Sequence, residues 1–150
     1  MKILIQRVKS GRVSIDGELI DQIAIGYVVL VGVREGDTPD DAMKLALKTV
    51  NLRIFPDNTG RMNRSIKEVN GEILAVSQFT LYADTRKGNR PSFIRSGDPN
   101  AANLLYEEYV AALRRELGKT RVKTGRFGAN MLVNIANDGP VTIELSTDKT

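Results

Sequence analysis

Within the 150-residue chain, two short segments carry the side chains best suited to chemistry. One is Ser77-Gln78-Phe79-Thr80-Leu81-Tyr82 and the other is Asn137-Asp138-Gly139-Pro140-Val141-Thr142. Each sets hydroxyl and amide groups at the end of an apolar run. The Thr80 hydroxyl could attack a carbonyl or hydrogen-bond to it, and the backbone N–H groups of Phe79 and Thr80 could stabilise an oxyanion. A hydroxyl is a poor nucleophile without a neighbouring base, and the chain has no histidine and no cysteine. A Ser-His-Asp triad and a thiolate nucleophile are therefore excluded. What remains is chemistry by hydroxyls, amides, backbone groups, charged side chains or the substrate itself. By spacing alone, an ordinary strand with a polar terminus also accounts for the first segment.

The second segment has an equally plain alternative. Asn-Asp-Gly between two apolar runs reads as a hairpin turn, which needs no function. An X-Pro bond, however, takes the cis form at modest cost. A cis Gly139-Pro140 would aim its carbonyl oxygens in one direction with no side chain at the glycine, forming an acceptor for an amino group. Composition leaves the isomer open. Gly125-Arg126-Phe127-Gly128 lacks the spacing of either common phosphate-binding fingerprint and reads as a turn or a pocket lining. No carboxylates stand at metal-ligand spacing, so neither a metal nor another cofactor is expected. Asp40 and Asp41 are better explained as the start of a helix.

Charge and composition narrow the classes. The chain is 41% hydrophobic and 27% charged, as in an ordinary soluble globular protein. The lack of cysteine fits a reducing compartment. The start, Met1-Lys2-Ile3-Leu4-Ile5-Gln6-Arg7, does not read as a signal peptide. No apolar run approaches the roughly 20 residues of a membrane span, so a cytoplasmic location without membrane association is expected. The net charge is +4, which favours polyanionic partners. Arg86, Lys87, Arg90 and Arg95 form one basic cluster. Arg114, Arg115, Lys119, Arg121, Lys123 and Arg126 form another. Both read either as solvated surface or as a track for an RNA backbone.

The elements that must position these groups are of mixed α and β type. Lys2 to Val8 reads as a strand. Arg12 to Ile15 and Leu19 to Ile23 flank Asp16-Gly17, a hairpin signal. Tyr27 to Val33 is a continuous apolar, β-branched run, expected of a buried strand. Thr38-Pro39-Asp40-Asp41 opens a helix, with Ala42, Leu45, Ala46, Thr49 and Val50 at helical spacing. Turns follow at Asp57 to Gly60 and at Asn70-Gly71. Glu72 to Phe79 reads as a strand that delivers Thr80 at its end. Asp98-Pro99 opens a second helix, whose apolar face is predicted as Leu104, Leu105, Tyr109, Ala112 and Leu113, with Gly118 past its end. Met131 to Ala136 and Val141 to Leu145 are the last strands. Nothing divides the chain, so residues 1–150 are expected to form a single α+β domain.

At this point the sequence resembles the bacterial D-aminoacyl-tRNA deacylases, also called D-tyrosyl-tRNA deacylases. The family signatures Ser-Gln-Phe-Thr and Asn-x-Gly-Pro-x-Thr stand intact as Ser77 to Thr80 and as Asn137, Gly139, Pro140 and Thr142. Ile5 to Val8, Asn51 to Phe55, Ala83 to Gly88, Arg90 to Phe93 and Thr124 to Ala129 match as well. Only Ser146 to Thr150 carry no match. The resemblance implies a compact fold with a barrel-like, largely antiparallel sheet and two main helices, working as a homodimer with active sites at the subunit interface. It implies hydrolysis of D-aminoacyl-tRNA, and of glycyl-tRNA mischarged on other tRNAs. The implied catalytic residues are Ser77, Gln78, Phe79 and Thr80. A cis Gly139-Pro140, with Asn137 and Thr142, would enter the partner's site, hold the substrate amino group and exclude an L side chain. Arg7 would brace that loop and Phe127 would line the pocket. Thr80 matches a residue proposed as nucleophile; the other view is assistance by the ribose 2′-OH. Arg86, Lys87 and Arg90 are candidate tRNA contacts. A non-catalytic RNA-binding module is the alternative.

Overall fold

Asp16 and Gly17 both take positive φ, 50° and 81°, as a tight two-residue hairpin requires. They join β1 (Lys2–Ile15) to β2 (Glu18–Ile23) in a computed structural model that describes residues 1–149. β1 is one uninterrupted strand, longer than the two segments expected from the sequence. Along one edge its first half pairs antiparallel with β3 (Gly26–Gly32), and its second half pairs with β2. Its other edge is covered end to end.

Chain order then runs through α1 (Pro39–Asn51), the two-stranded ribbon of β4 (Phe55–Pro56) and β5 (Met62–Arg64), and β6 (Glu72–Ser77). After these come α2 (Pro99–Leu117), β7 (Val122–Thr124) and β8 (Leu132–Ser146). β6 lies parallel to β3 and β7 parallel to β6, while β8 pairs antiparallel with β1. The main sheet has the order β2-β1-β3-β6-β7, with β8 on the far edge of β1. β2 also lies against β6 and β7, which curls the mixed sheet into the expected barrel-like form.

β3 shows why its sequence is apolar throughout. Side chains alternate across a strand. Tyr27, Val29 and Val31 join the core beneath the helices, and Val28 joins a second cluster inside the curl with Val8, Val13, Ile23, Leu74 and Val76. A strand buried on both faces has no polar side to show.

Both helices begin as their sequences dictate. The Thr38 hydroxyl accepts from the Asp41 N–H at 3.3 Å, while the Asp41 carboxylate accepts from the Thr38 N–H at 2.8 Å, a complete capping box. Asp98 accepts from the N–H groups of Asn100 and Ala101 at 3.1 and 3.2 Å. The buried stripe of α2 runs through Ala102, Tyr106, Tyr109, Val110, Leu113 and Leu117. Leu104, expected on that stripe, is 64% exposed, because the stripe centres one residue further round. The Tyr109 hydroxyl meets Thr49 of α1 at 2.8 Å in the buried seam between the helices.

Two departures bear on function. β6 ends at Ser77, so Thr80 sits in a single 3₁₀ turn, Phe79–Tyr82, and not on the strand. Residues 137–140 are not a hairpin loop either. β8 continues through them and stays beside β1 on both sides.

Candidate active site

The 3₁₀ turn is held against β3 from both sides. The Gln78 N–H donates to the Val31 carbonyl at 2.7 Å, and the Ser96 hydroxyl donates to the Phe79 carbonyl at 3.1 Å. Gly32 makes the close approach possible, since a Cβ there would stand 2.9 Å from Leu81 Cβ and 3.3 Å from the Gln78 oxygen. Phe79 and Thr80 open the turn, and their N–H groups find no acceptor among the described residues. The first N–H groups of any helical turn are left over in this way.

These residues border a cavity of about 640 Å³, a size suited to a small ligand. Ser77, Gln78, Phe79 and Phe127 all line it, so the structure brings these four expected site residues together. Phe93, Tyr106, Ala129 and Met131 line it as well. The Phe79 and Phe93 rings meet edge to face with centroids 5.1 Å apart, and both are substantially exposed at the mouth. Thr80 stands beside the cavity, its hydroxyl accepting from the Gln78 side-chain amide.

Tyr106, which carries the one ionisable side chain in the lining, could not be singled out from the sequence. It sits on the apolar stripe of α2, where an aromatic is expected for packing alone. Its hydroxyl donates to the Ala75 carbonyl at 2.8 Å, and burial pushes its pKa up to about 12. The cavity is thus lined by residues with hydroxyl and amide side chains but by no side chain that could act as a base near neutrality. Among the described residues no group of three or more His, Cys, Asp or Glu side chains could hold a metal ion.

The second signature lies elsewhere on the same chain. Gln6 of β1 faces Thr142, and Val8 faces Asn137. Arg7 alone therefore stands opposite the four residues from Asp138 to Val141, which must bulge outward. The Gly139-Pro140 peptide bond in this bulge is cis, and both residues are exposed. Neither lines the cavity of its own chain. Asn137 donates to the Gln6 side chain at 2.9 Å, tying down one end of the bulge.

Arg7 occupies the base of the bulge and is only 8% exposed. Its Nε donates to the Asp138 carbonyl at 3.1 Å and lies 3.6 Å from the Asp138 carboxylate. Its Nη1 donates to the Ile54 carbonyl at 2.5 Å. A buried guanidinium satisfied by two carbonyls fixes both the bulge and the segment before β4. Gly139 has φ +124°, and a Cβ there would lie 2.9 Å from Val141 Cγ2 and 3.0 Å from Arg7 Nη2. Backbone conformation and space both demand glycine.

The candidate tRNA contacts differ among themselves. Arg86, Lys87 and Arg90 are all exposed in the segment after the 3₁₀ turn. Arg86 is held by the Asp84 carboxylate, with contacts of 2.5 and 2.9 Å, and these hydrogen bonds keep the Asp84 carboxyl well below its usual range. Lys87 and Arg90 form no ion pair among the described residues.

The chain is a small α+β domain with a barrel-like mixed sheet and a ligand-sized cavity at the turn after β6, and comparison with known proteins makes the assignment specific. A family model described as D-Tyr-tRNA(Tyr) deacylase matches residues 4–146. The chain is 48% identical over 149 residues to a D-aminoacyl-tRNA deacylase of Clostridium novyi (strain NT), covering 99% of each. It is 50% identical over 143 residues to one of Flavobacterium psychrophilum, covering 95% of each. The solved structure of a c-Myc DNA Unwinding Element Binding Protein superposes with a TM-score of 0.94 at 39% identity, covering 99% of this chain and 100% of that one. The chain belongs to the D-aminoacyl-tRNA deacylase family, a family of hydrolases. A structure of a probable eukaryotic D-amino acid tRNA deacylase, 16% identical with a TM-score of 0.81, shares the fold.

Proposed function

We propose that the chain hydrolyses the ester between a D-amino acid and the terminal ribose of tRNA in the cytoplasm, and also clears glycine mischarged on other tRNAs. The observation that carries this reading is the 3₁₀ turn. It leaves the N–H groups of Phe79 and Thr80 without an acceptor among the described residues, beside a cavity whose lining holds no base. N–H groups of this kind stabilise the oxyanion that forms when an ester carbonyl is attacked. Water adds to that carbonyl, the bond to the ribose oxygen breaks, and the products are the free amino acid and tRNA. With no protein base at hand, the adjacent ribose 2′-OH is the group placed to assist. Thr80 acts as a hydrogen-bonding group oriented by Gln78, and not as a nucleophile.

Selection of the D form falls to Gly139 and Pro140. Enantiomers carry identical groups and differ only in where the side chain points. A backbone wall beside the α-carbon rejects one direction for every amino acid and leaves glycine, which has no side chain, free to enter. Because these residues are exposed and do not line the cavity of their own chain, they act in the cavity of a second subunit. β8 suits such pairing: its outer edge is unpaired among the described residues, none of its residues is buried, and Leu132 is 64% exposed. A long bare edge of this kind is normally covered.

Loss of ester from D-tyrosyl-tRNA and from L-tyrosyl-tRNA tests the whole reading. Rapid loss from the D form alone is expected. The competing reading is a non-catalytic nucleic-acid-binding module; the protein that superposes at 0.94 is itself named for binding a DNA element. Binding of both tRNAs without cleavage of either would establish it.

A further inference from the structure

A second depression lies along α2 beside β7, with a volume of about 940 Å³. Its lining carries four cations, Arg114, Arg115, Lys119 and Arg126, against one carboxylate, Glu107. None of the four forms an ion pair among the described residues; the acid nearest in sequence, Glu116, is taken by Lys67 at 2.6 Å. Glu107 accepts from the Asn103 amide at 3.4 Å. Arg114 donates through Nη2 to the Val122 carbonyl at 3.2 Å, but its Nε is buried without a partner. A buried unpaired donor on a guanidinium is costly unless something fills it.

The groove also adjoins the active-site cavity. Tyr106 and Phe127 line both, their rings 6.0 Å apart, so one aromatic wall separates the two. Resting on the deacylase reading above, we propose that this groove holds the sugar-phosphate backbone of the aminoacyl-tRNA acceptor end and so delivers the 3′ terminus over Phe127 into the cavity. Charge sign and continuity both select this occupant. A row of unpaired cations attracts phosphates without reading sequence, as an enzyme acting on many tRNAs needs. Arg86, the leading residue of the other basic cluster, is already matched by Asp84. Lys87 and Arg90 in the segment after the 3₁₀ turn remain as further contacts, outside the groove.

The test uses two substrates, D-tyrosyl-tRNA and 3′-O-D-tyrosyl-adenosine, which keeps the ester but lacks the stem. The variant is Arg115→Ala with Lys119→Ala, two exposed side chains outside the cavity. KM for the tRNA should rise about tenfold, and the slope of log KM against log salt should flatten by about one for each phosphate no longer held. Turnover of the adenosine ester should stay at the wild-type rate. An unchanged KM and salt slope on tRNA in the folded variant would overturn the groove, as would equal losses on both substrates. Failure of the wild-type protein to cleave either substrate would instead overturn the deacylase reading on which the groove rests.

Discussion

At the scale of single residues, the question is what replaces the missing histidine. Thr80 matches a residue proposed as nucleophile, and its surroundings argue for a hydrogen-bonding role instead. Its hydroxyl already accepts from Gln78. No carboxylate, lysine or arginine lines the cavity. Tyr106, pushed up to about 12, stays a neutral donor throughout the neutral range. Thr80→Ala should therefore keep activity within about tenfold of wild type, where loss of a true nucleophile costs on the order of a million-fold. The pH–rate profile of the variant should overlay that of the wild type. Any inflection near neutrality belongs to the substrate α-amino group, which titrates at about 7.7–8.0. An acyl group trapped on Thr80 and seen by mass spectrometry would refute this account.

At the scale of elements, the bulge of β8 is the feature to which the proposed function assigns selectivity. Gly139 has no room for a methyl group between Val141 and Arg7, and its φ lies where other residues are strained. Gly139→Ala should cost about 1–3 kcal/mol, lowering the thermal midpoint by a few degrees while the fold persists. Displacing the wall by even ~1 Å should slow D-tyrosyl-tRNA cleavage about 100-fold. Wild-type cleavage with intact rejection of the L form would place the wall elsewhere. The same bulge shows where sequence reading ran out. Helix starts at Thr38 and Asp98, the Asp16-Gly17 hairpin and the buried β3 were all legible, because each rests on chemistry within a few residues. The signatures were legible too, as strings. That residues 137–140 swell out of one continuous strand was not, because a bulge and a hairpin share the same turn residues and differ only in pairing with β1. Arg7 is the partner that decides it, and its reach to Asp138 spans most of the chain. The cavity wall of Tyr106 and Met131 was hidden for a similar reason: side chains that pack a core and side chains that line a pocket follow the same periodicity.

At the scale of the whole molecule, the cavity and the Gly139-Pro140 bulge lie apart on one chain, and the proposed function makes them two halves of a site completed by a second subunit. The cavity lies at the 3₁₀ turn after β6, among α2 and the segment before β8, whereas the bulge stands exposed on the free edge of the sheet. A symmetric dimer makes one patch serve both roles, because each subunit offers its bulge and receives the other. Mixing two damaged proteins tests this directly. Gly139→Ala removes the proper wall, and Ala129→Phe fills the cavity, which Ala129 lines. Neither homodimer should cleave D-tyrosyl-tRNA well. If bulge and cavity meet across subunits, a mixed dimer contains one site with both lesions and one with neither. Random exchange of equal amounts should then restore about a quarter of the wild-type sites. If instead bulge and cavity act within one chain, every site in every dimer carries a lesion, and mixing restores nothing. Recovery of activity that rises with subunit exchange and stops when exchange is blocked by crosslinking is the expected result; none after complete exchange would leave the bulge acting within its own chain or outside the reaction.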